Sequence, residues 1–438
     1  MKVWTASTRI RLFVILFLIL TAYVIGSLSR GTPNLPIYEE WASEISKGLL
    51  FELYHIEDGQ STSTTIGELI VPYPPISLFV FWIFAQLSKV LTVGDFVSWG
   101  FIVNLSAVTA TFFTAAVLSK SGKVFGSRTY LYFLASPVVF LLSPILGYQD
   151  ALMTLFLVLG LHCLTRDHYA LAGVFFGLAL MSKQLSLMPI AAVIFVFLLQ
   201  QKFLAFAKIC SALFVTILVV LSPFIVTRNL FAYLESQALA SVHTMLAAQT
   251  ANFPYVITFI HRSMQEGFWE GLFIGGNGLR ILDDQLRQLA YFGFALIAGI
   301  VFLIWVVYFR RRFGLLAMNY WQVASMMIFA YYLFCAGVHE NHIFMALPLL
   351  LCLPASIEIK KIYLAFSIAL FLHLLISWGV GASFIGVTGF LSNSGSANTS
   401  GTLIAFLFYL YAFVQLWRFT PAVGSPTSAY NFDSREGK

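Results

Sequence analysis

Apolar runs long enough to cross a bilayer recur from residue 9 to residue 418 of this 438-residue chain. A hydrocarbon core of about 30 Å takes about 20 apolar helical residues to cross, and backbone groups inside it must be satisfied by the helix itself. So many runs leave no room for a sizeable soluble domain. The expected fold is therefore all-α and integral to the membrane, with any chemistry placed in the helix bundle and its loops. Charged residues make up only 10%, against about 25% in an ordinary soluble chain.

Cytoplasmic loops collect Lys and Arg, and this tendency sets the expected topology. Lys2, Arg9 and Arg11 precede "FVILFLILTAYVIGSL", in outline like a secretion signal. The apolar part is long and a bundle follows it, so a retained first helix with a cytoplasmic N-terminus is expected. Residues 30–96 then form the first outer loop, which carries Glu39, Glu40, Glu44, Glu52, Glu57, Asp58 and Glu68. If the stretch 75–92 crossed fully, Lys120, Lys123 and Arg128 would fall outside. Placed in the outer interface, it brings those residues inside together with Lys202, Lys208, Arg310, Arg311, Arg312, Lys360, Lys361 and Arg418.

Twelve spanning helices follow, at about 9–29, 97–118, 130–146, 150–165, 169–184, 185–200, 205–227, 288–308, 319–337, 342–357, 362–380 and 402–418. Several are only about 16 residues long, short of a full crossing, so their ends are expected inside a protein-lined cavity. One transmembrane unit spans 1–418, with a second large outer loop at 228–287 that is amphipathic and aromatic. The Pro-, Ser- and Gly-rich tail 419–438 is expected to be disordered and cytoplasmic. Gly173 and Gly177 have the spacing of a close helix contact.

The formal charge of +6 belongs to the cytoplasmic loops, and no aromatic-and-basic patch of the nucleic-acid-binding kind accompanies it. Cys163, Cys210, Cys335 and Cys352 each lie in or at the end of an apolar run, without CxxC pairing, and imply no disulfide or zinc framework. No internal repeat of the transporter kind is present.

Three polar clusters fall at the outer ends of the expected helices: Gln149 with Asp150 in "LGYQDALMTL", Lys183 with Gln184 in "ALMSKQLSL", and His339 to His342 in "GVHENHIFMALPLL". Charge near hydrocarbon costs about 2.5–3.5 kcal/mol per group on insertion scales. Three clusters on one face therefore describe one outward-facing polar site. Each cluster has a plain alternative. Asp150 can cap its helix, Lys183 can snorkel to headgroups, and the histidines can mark a membrane edge. A zinc-protease reading fails on spacing, since HExxH places its histidines four apart and these are three apart.

These segments, with "NLPIYEEWASEI" and "VPYPPISLFVF", run in the order found in the C superfamily of multi-spanning glycosyltransferases that use polyprenyl-phosphate sugars. Over about residues 30–355 the chain resembles the glucosyltransferases that elongate lipid-linked oligosaccharides, and related bacterial hexosyltransferases. The resemblance implies interfacial helices in the first outer loop and transfer of a hexose, mannose or glucose, from the lipid carrier to a glycan, lipid or protein acceptor. Inversion on the extracytoplasmic or lumenal face is expected, with the multi-pass protein in a bacterial or archaeal plasma membrane rather than the endoplasmic reticulum. A base deprotonates the acceptor while cations steady the departing phosphate. By resemblance, Lys183, Gln184, His339 and His342 bind the donor phosphate, and a divalent cation is the one cofactor candidate.

The chain departs from the family at one place. Where those enzymes carry an aspartate seven positions before the loop tryptophan, this chain has Asn34 before Trp41. Three outcomes remain open: the base is Glu39 or Glu40, it is Asp150, or transfer activity is lost. A lipid-glycan flippase and a non-catalytic lipid-binding relative are the rival functions.

Overall fold

The computed structural model describes residues 6–27, 35–57, 60–61, 71, 73–91, 99–240, 246–247, 250–267, 284–378 and 395–419. Among them the fold is helical, apart from one pairing of two-residue strands, β1 (Ile56–Glu57) and β2 (Gln60–Ser61). The helices are α1 (Ala6–Ser27), α2 (Leu35–Ser46), α3 (Pro75–Leu91) and α4 (Trp99–Ser121). Next come α5 (Thr129–Leu134), α6 (Pro137–Phe140), α7 (Asp150–Leu164), α8 (Tyr169–Leu180), α9 (Leu187–Leu199) and α10 (Phe203–Val226). The remainder are α11 (Leu230–Ala240), α12 (Phe253–Glu266), α13 (Asp284–Phe313), α14 (Tyr320–Phe334), α15 (Ala346–Leu351), α16 (Ile357–Trp378) and α17 (Gly395–Arg418).

Four described segments are long and apolar enough to cross a membrane: Phe203–Val226, Gln285–Phe313, Ile357–Ser377 and Gly401–Arg418. Others are apolar but shorter, among them Asp150–Leu164, Tyr169–Leu180 and His342–Leu351. The expected number of twelve crossings therefore exceeds the helices of full spanning length. Two boundaries differ in an informative way. The run 130–146 is not one helix, because Pro137 starts a new segment and the two halves meet at 42°; proline lacks the N–H that would continue the ladder and clashes with the preceding turn. The run expected to end near 357 stops at Leu351.

The long helices show what solvent they expect. α10 leaves Phe214, Val215 and Val219 exposed, and α13 leaves Leu289, Phe292 and Ile304 exposed. Apolar faces this extensive are unstable in water and suit lipid, as befits an integral membrane protein. The inner faces meet through small residues. A Cβ on Gly173 would crowd the Ala212 Cβ and the Ile209 backbone, and one on Gly177 would sit 2.7 Å from Thr216 Cβ, so α8 and α10 approach closely along that stripe.

Connectivity sorts the polar residues to two ends. α7 and α8 form an antiparallel pair, so Asp150 at the start of one meets Lys183 just beyond the end of the other. Arg166 and Asp167 lie in the turn at the opposite end. Lys202 joins that opposite end through Tyr320 Oη at 3.1 Å, and the Lys123 backbone N–H donates to Leu351 O at 2.9 Å. The basic loops therefore gather away from the Asp150–Lys183 end.

Candidate active site

Three chain breaks build the site, each where a helix stops short. The first follows α6. Residues 141–146 make a wide turn in which the Leu146 N–H bonds Leu141 O and the Tyr148 N–H bonds Leu142 O. Such π-type turns recur at functional sites. The turn closes on Gly147 at φ +67, where a Cβ would overlap the Asn104 side-chain oxygen. Glycine is required there on both counts. Tyr148, Gln149 and Asp150 follow at once, and Gln149 Nε2 donates to Ser106 Oγ on α4 at 2.9 Å.

The second break separates α8 from α9 and leaves Lys183 extended, at φ −158 and ψ 129. The start of α3 is tied onto it: the Ile76 N–H donates to Met181 O at 3.0 Å, and Ser77 Oγ donates to Ser182 O at 2.7 Å. Pro75 opens that helix, where its missing N–H costs nothing. Lys183 Nζ donates to both oxygens of Asp150, at 3.0 Å each, and lies 5.8 Å from the Tyr73 ring centroid. Tyr73 and Tyr38 share a hydrogen bond at 3.0 Å, and Tyr38 stacks on Phe81 at 4.5 Å, so α2 and α3 pack as an aromatic wall beside the ion pair.

The third break runs from Cys335 to Asn341, between α14 and the helical turn at His342–Met345. Its backbone is held by the segment before α12. Asn252 Nδ2 donates to Cys335 O at 3.0 Å, the Gly337 N–H to Leu246 O at 3.1 Å, and Thr250 Oγ1 to Val338 O. Held this way, the break meets the start of α7 and the residue two before it in two rungs. Tyr148 Oη donates to Glu340 Oε1 at 3.0 Å, and Asn341 Nδ2 donates to Asp150 Oδ2 at 2.7 Å.

Asp150, Glu340 and Asn341 are buried and form the floor of the cluster; His342 is half-buried and His339 exposed, forming its rim. The His339 backbone N–H donates to His342 Nδ1 at 3.2 Å, which assigns the ring proton of a neutral His342 to Nε2. The rings of the two histidines are 5.1 Å apart. Crowding by protein holds the His339 imidazole below its ordinary value near 6.5. Lys183 acts in the same direction, and Glu340 and Asp150 oppose it. Burial pushes the phenols of Tyr38 and Tyr73 upward, so both remain O–H groups near neutral pH. A buried carboxylate is stable only when its lone pairs are occupied; Asp150 meets that condition with three charge-assisted hydrogen bonds from two residues.

The structure brings together Asp150, Lys183, His339 and His342 from the expected set. Gln184 turns elsewhere, its amide donating to Gln237 Oε1 at 2.7 Å while Gln237 Nε2 donates to Val71 O at 3.0 Å. Gln184 thus braces α11 against the first long loop. Asp150 begins α7 as expected, but its carboxylate serves Lys183 and Asn341 rather than a cap. Glu39 and half-buried Glu40 lie on α2 beside Tyr38 and Trp41; the Glu39 side chain and the whole of Asn34 are outside the described residues. Sequence reasoning assigned no chemical role to Glu340, Asn341, Tyr148, Tyr38 or Tyr73. Glu340 and Asn341 stood in plain view inside "HENH", yet nothing in the spacing told which would face Tyr148 and which Asp150. Among the described residues, no three His, Cys, Asp or Glu side chains are grouped to hold a metal.

No curated protein matches the chain. Among solved structures, the chain is similar to ArnT from Cupriavidus metallidurans in the apo state, at 13% identity and a TM-score of 0.49 over 94% of this chain and 78% of that one. Residues 72–335, more than half of the chain, match the sequence profile of Glycosyltransferase family 87. That span contains Tyr73, Asp150 and Lys183, and ends at Cys335, where the third break begins. The chain belongs to glycosyltransferase family 87, a family of the C type, and is a membrane glycosyltransferase.

Proposed function

We propose that the protein transfers a hexose, with inversion, from a polyprenyl-phosphate carrier to a glycan, lipid or protein acceptor. The observation that carries this reading is the convergence of Lys183, His339 and His342 at one end of the bundle, with an aromatic wall from the first long loop beside them. A lipid donor enters from the bilayer, its phosphate reaching the polar end while its chain stays among apolar helix faces. As the bond from sugar to phosphate breaks, charge grows on the phosphate. The Lys183 ammonium and the Nε2–H of His342 are suited to receive it. His339 acts as a neutral hydrogen-bonding imidazole rather than as a cation.

The basic loops gather at the other end, and positive-inside bias supports a site on the extracytoplasmic or lumenal face with both termini in the cytoplasm. Twelve crossings then require short helices such as α7, α8 and α15 to be completed by protein rather than lipid. A divalent cation remains the one cofactor candidate, tested by chelation with EDTA. The reading is tested by incubating the purified protein with synthetic polyprenyl-phosphate hexoses and following release of polyprenyl phosphate. Release that depends on an acceptor supports it. Donor binding with no release from any hexose tried, the outcome Asn34 would bring about in a non-catalytic relative, overturns it.

A further inference from the structure

Inverting transfer needs a group to take the acceptor proton, and the first long loop offers Asn34 where the family it resembles has an acid. Asp150 is a poor substitute in this geometry. One oxygen carries the Lys183 ammonium, and the other carries both that ammonium and the Asn341 amide. Its lone pairs are directed at fixed donors. Freeing one would weaken the pairing of Lys183, which is half-buried with its side chain 15% exposed.

A second carboxylate lies in the same wall. Glu340 sits one residue from His339 on the rim and one from Asn341 on the floor, and 6% of its surface stays accessible. Tyr148 Oη donates to Oε1 at 3.0 Å, which fixes the carboxylate against the start of α7. Because the Tyr148 and Asn341 rungs are adjacent, Glu340 and the Asp150–Lys183 pair are held in one rigid frame. That arrangement holds a candidate proton acceptor in fixed relation to the Lys183 ammonium, as displacement requires. His339 is exposed next to it and opens a path for the proton to solvent.

We infer that Glu340 is the general base of the transfer, a role that rests on the proposed glycosyl donor and falls to the break after α14 rather than to the first long loop. The acceptor hydroxyl gives its proton to the Glu340 carboxylate as its oxygen bonds the anomeric carbon. The bond from that carbon to the phosphate oxygen breaks, and its electron pair stays on the phosphate beside Lys183. Protonated Glu340 then returns its proton to solvent past His339. Tyr148 is a positioning residue, holding the carboxylate without touching substrate.

The test compares wild type with Glu340→Gln and Tyr148→Phe in lipid nanodiscs, measuring donor affinity and turnover separately. Glu340→Gln keeps the shape and an acceptor for Tyr148, so donor affinity should stay within about threefold while turnover falls about 100-fold or more. Tyr148→Phe should lower turnover less and leave donor affinity within about threefold of wild type. Turnover within threefold of wild type in Glu340→Gln overturns the inference and leaves the donor reading intact. A parallel fall in affinity and turnover makes Glu340 a brace and also overturns it. A wild-type protein that binds no polyprenyl-phosphate hexose overturns both.

Discussion

Lys183 was legible in the sequence as a charge out of place, and its partner was not. Nothing in "GYQD" or "SKQL" says that 33 positions of helix, turn and helix bring the two charges within 3.0 Å; that follows from α7 and α8 packing antiparallel. The pairing changes what a mutation would test. Lys183→Ala leaves a buried carboxylate with only Asn341, which should cost about 3–5 kcal/mol of stability as well as activity. Asp150→Asn combined with Lys183→Gln removes both charges and should cost less than the sum of the single changes. A double-mutant cycle on thermal unfolding in detergent checks this, and additivity within about 0.5 kcal/mol would contradict the buried pair. His339 gives a second prediction. Its imidazole is held below 6.5 by crowding, with Lys183 adding to the effect and Glu340 and Asp150 opposing it. It is therefore neutral at pH 7 and protonates only as pH falls below that ordinary value. Donor affinity should be flat from pH 7 to 8, and any change due to His339 should lie below 6.5 and disappear in His339→Gln. A His339-dependent transition above 6.5 contradicts the assignment.

Helix positions were largely legible, because apolar runs and flanking charge mark them; helix breaks were less so. The run 130–146 looked continuous because no charged residue interrupts it, although Pro137 and Pro144 were there to be weighed. Its wide turn and Gly147 aim Tyr148 and Asp150 at the site. Gly147→Ala should therefore lower both melting temperature and turnover, since it meets left-handed backbone and the Asn104 side chain together. Gly48→Ala is the control. It has φ +86 with nothing within 4 Å of a Cβ, so it should cost only the backbone strain of about 1–2 kcal/mol and leave turnover unchanged. Equal effects at the two positions would show that the close approach to Asn104 does not matter. The α8–α10 stripe belongs to the same scale. Its Gly173 and Gly177 spacing was read as packing, and the structure uses it so; Gly173→Leu should unfold the protein at lower temperature or reduce its folded yield.

At the scale of the whole molecule, the sequence conveyed a membrane bundle with charge sorted to two ends, and the structure sorts it the same way. Several helices read as too short to cross; what the sequence could not convey is which segments their ends meet. α7 begins, α8 ends and the turn leading into α15 begins at the site. The breaks there have backbone groups satisfied by neighbouring segments. The orientation is checked with single cysteines at Arg311 and His261, labelled by a membrane-impermeant thiol reagent in inside-out and right-side-out vesicles. Arg311→Cys should react only from the cytoplasmic side and His261→Cys only from the other; the reverse pattern would place the site in the cytoplasm. The central claim is that a lipid phosphate is received at the Lys183, His339 and His342 rim. A cryo-electron-microscopy map of the protein with bound polyprenyl phosphate tests it most directly. The phosphate is expected within hydrogen-bonding distance of Lys183 Nζ and of His339 or His342, with the polyprenyl chain leaving between helices toward lipid. A phosphate bound among the basic loops at the opposite end, with the rim unoccupied, would contradict it.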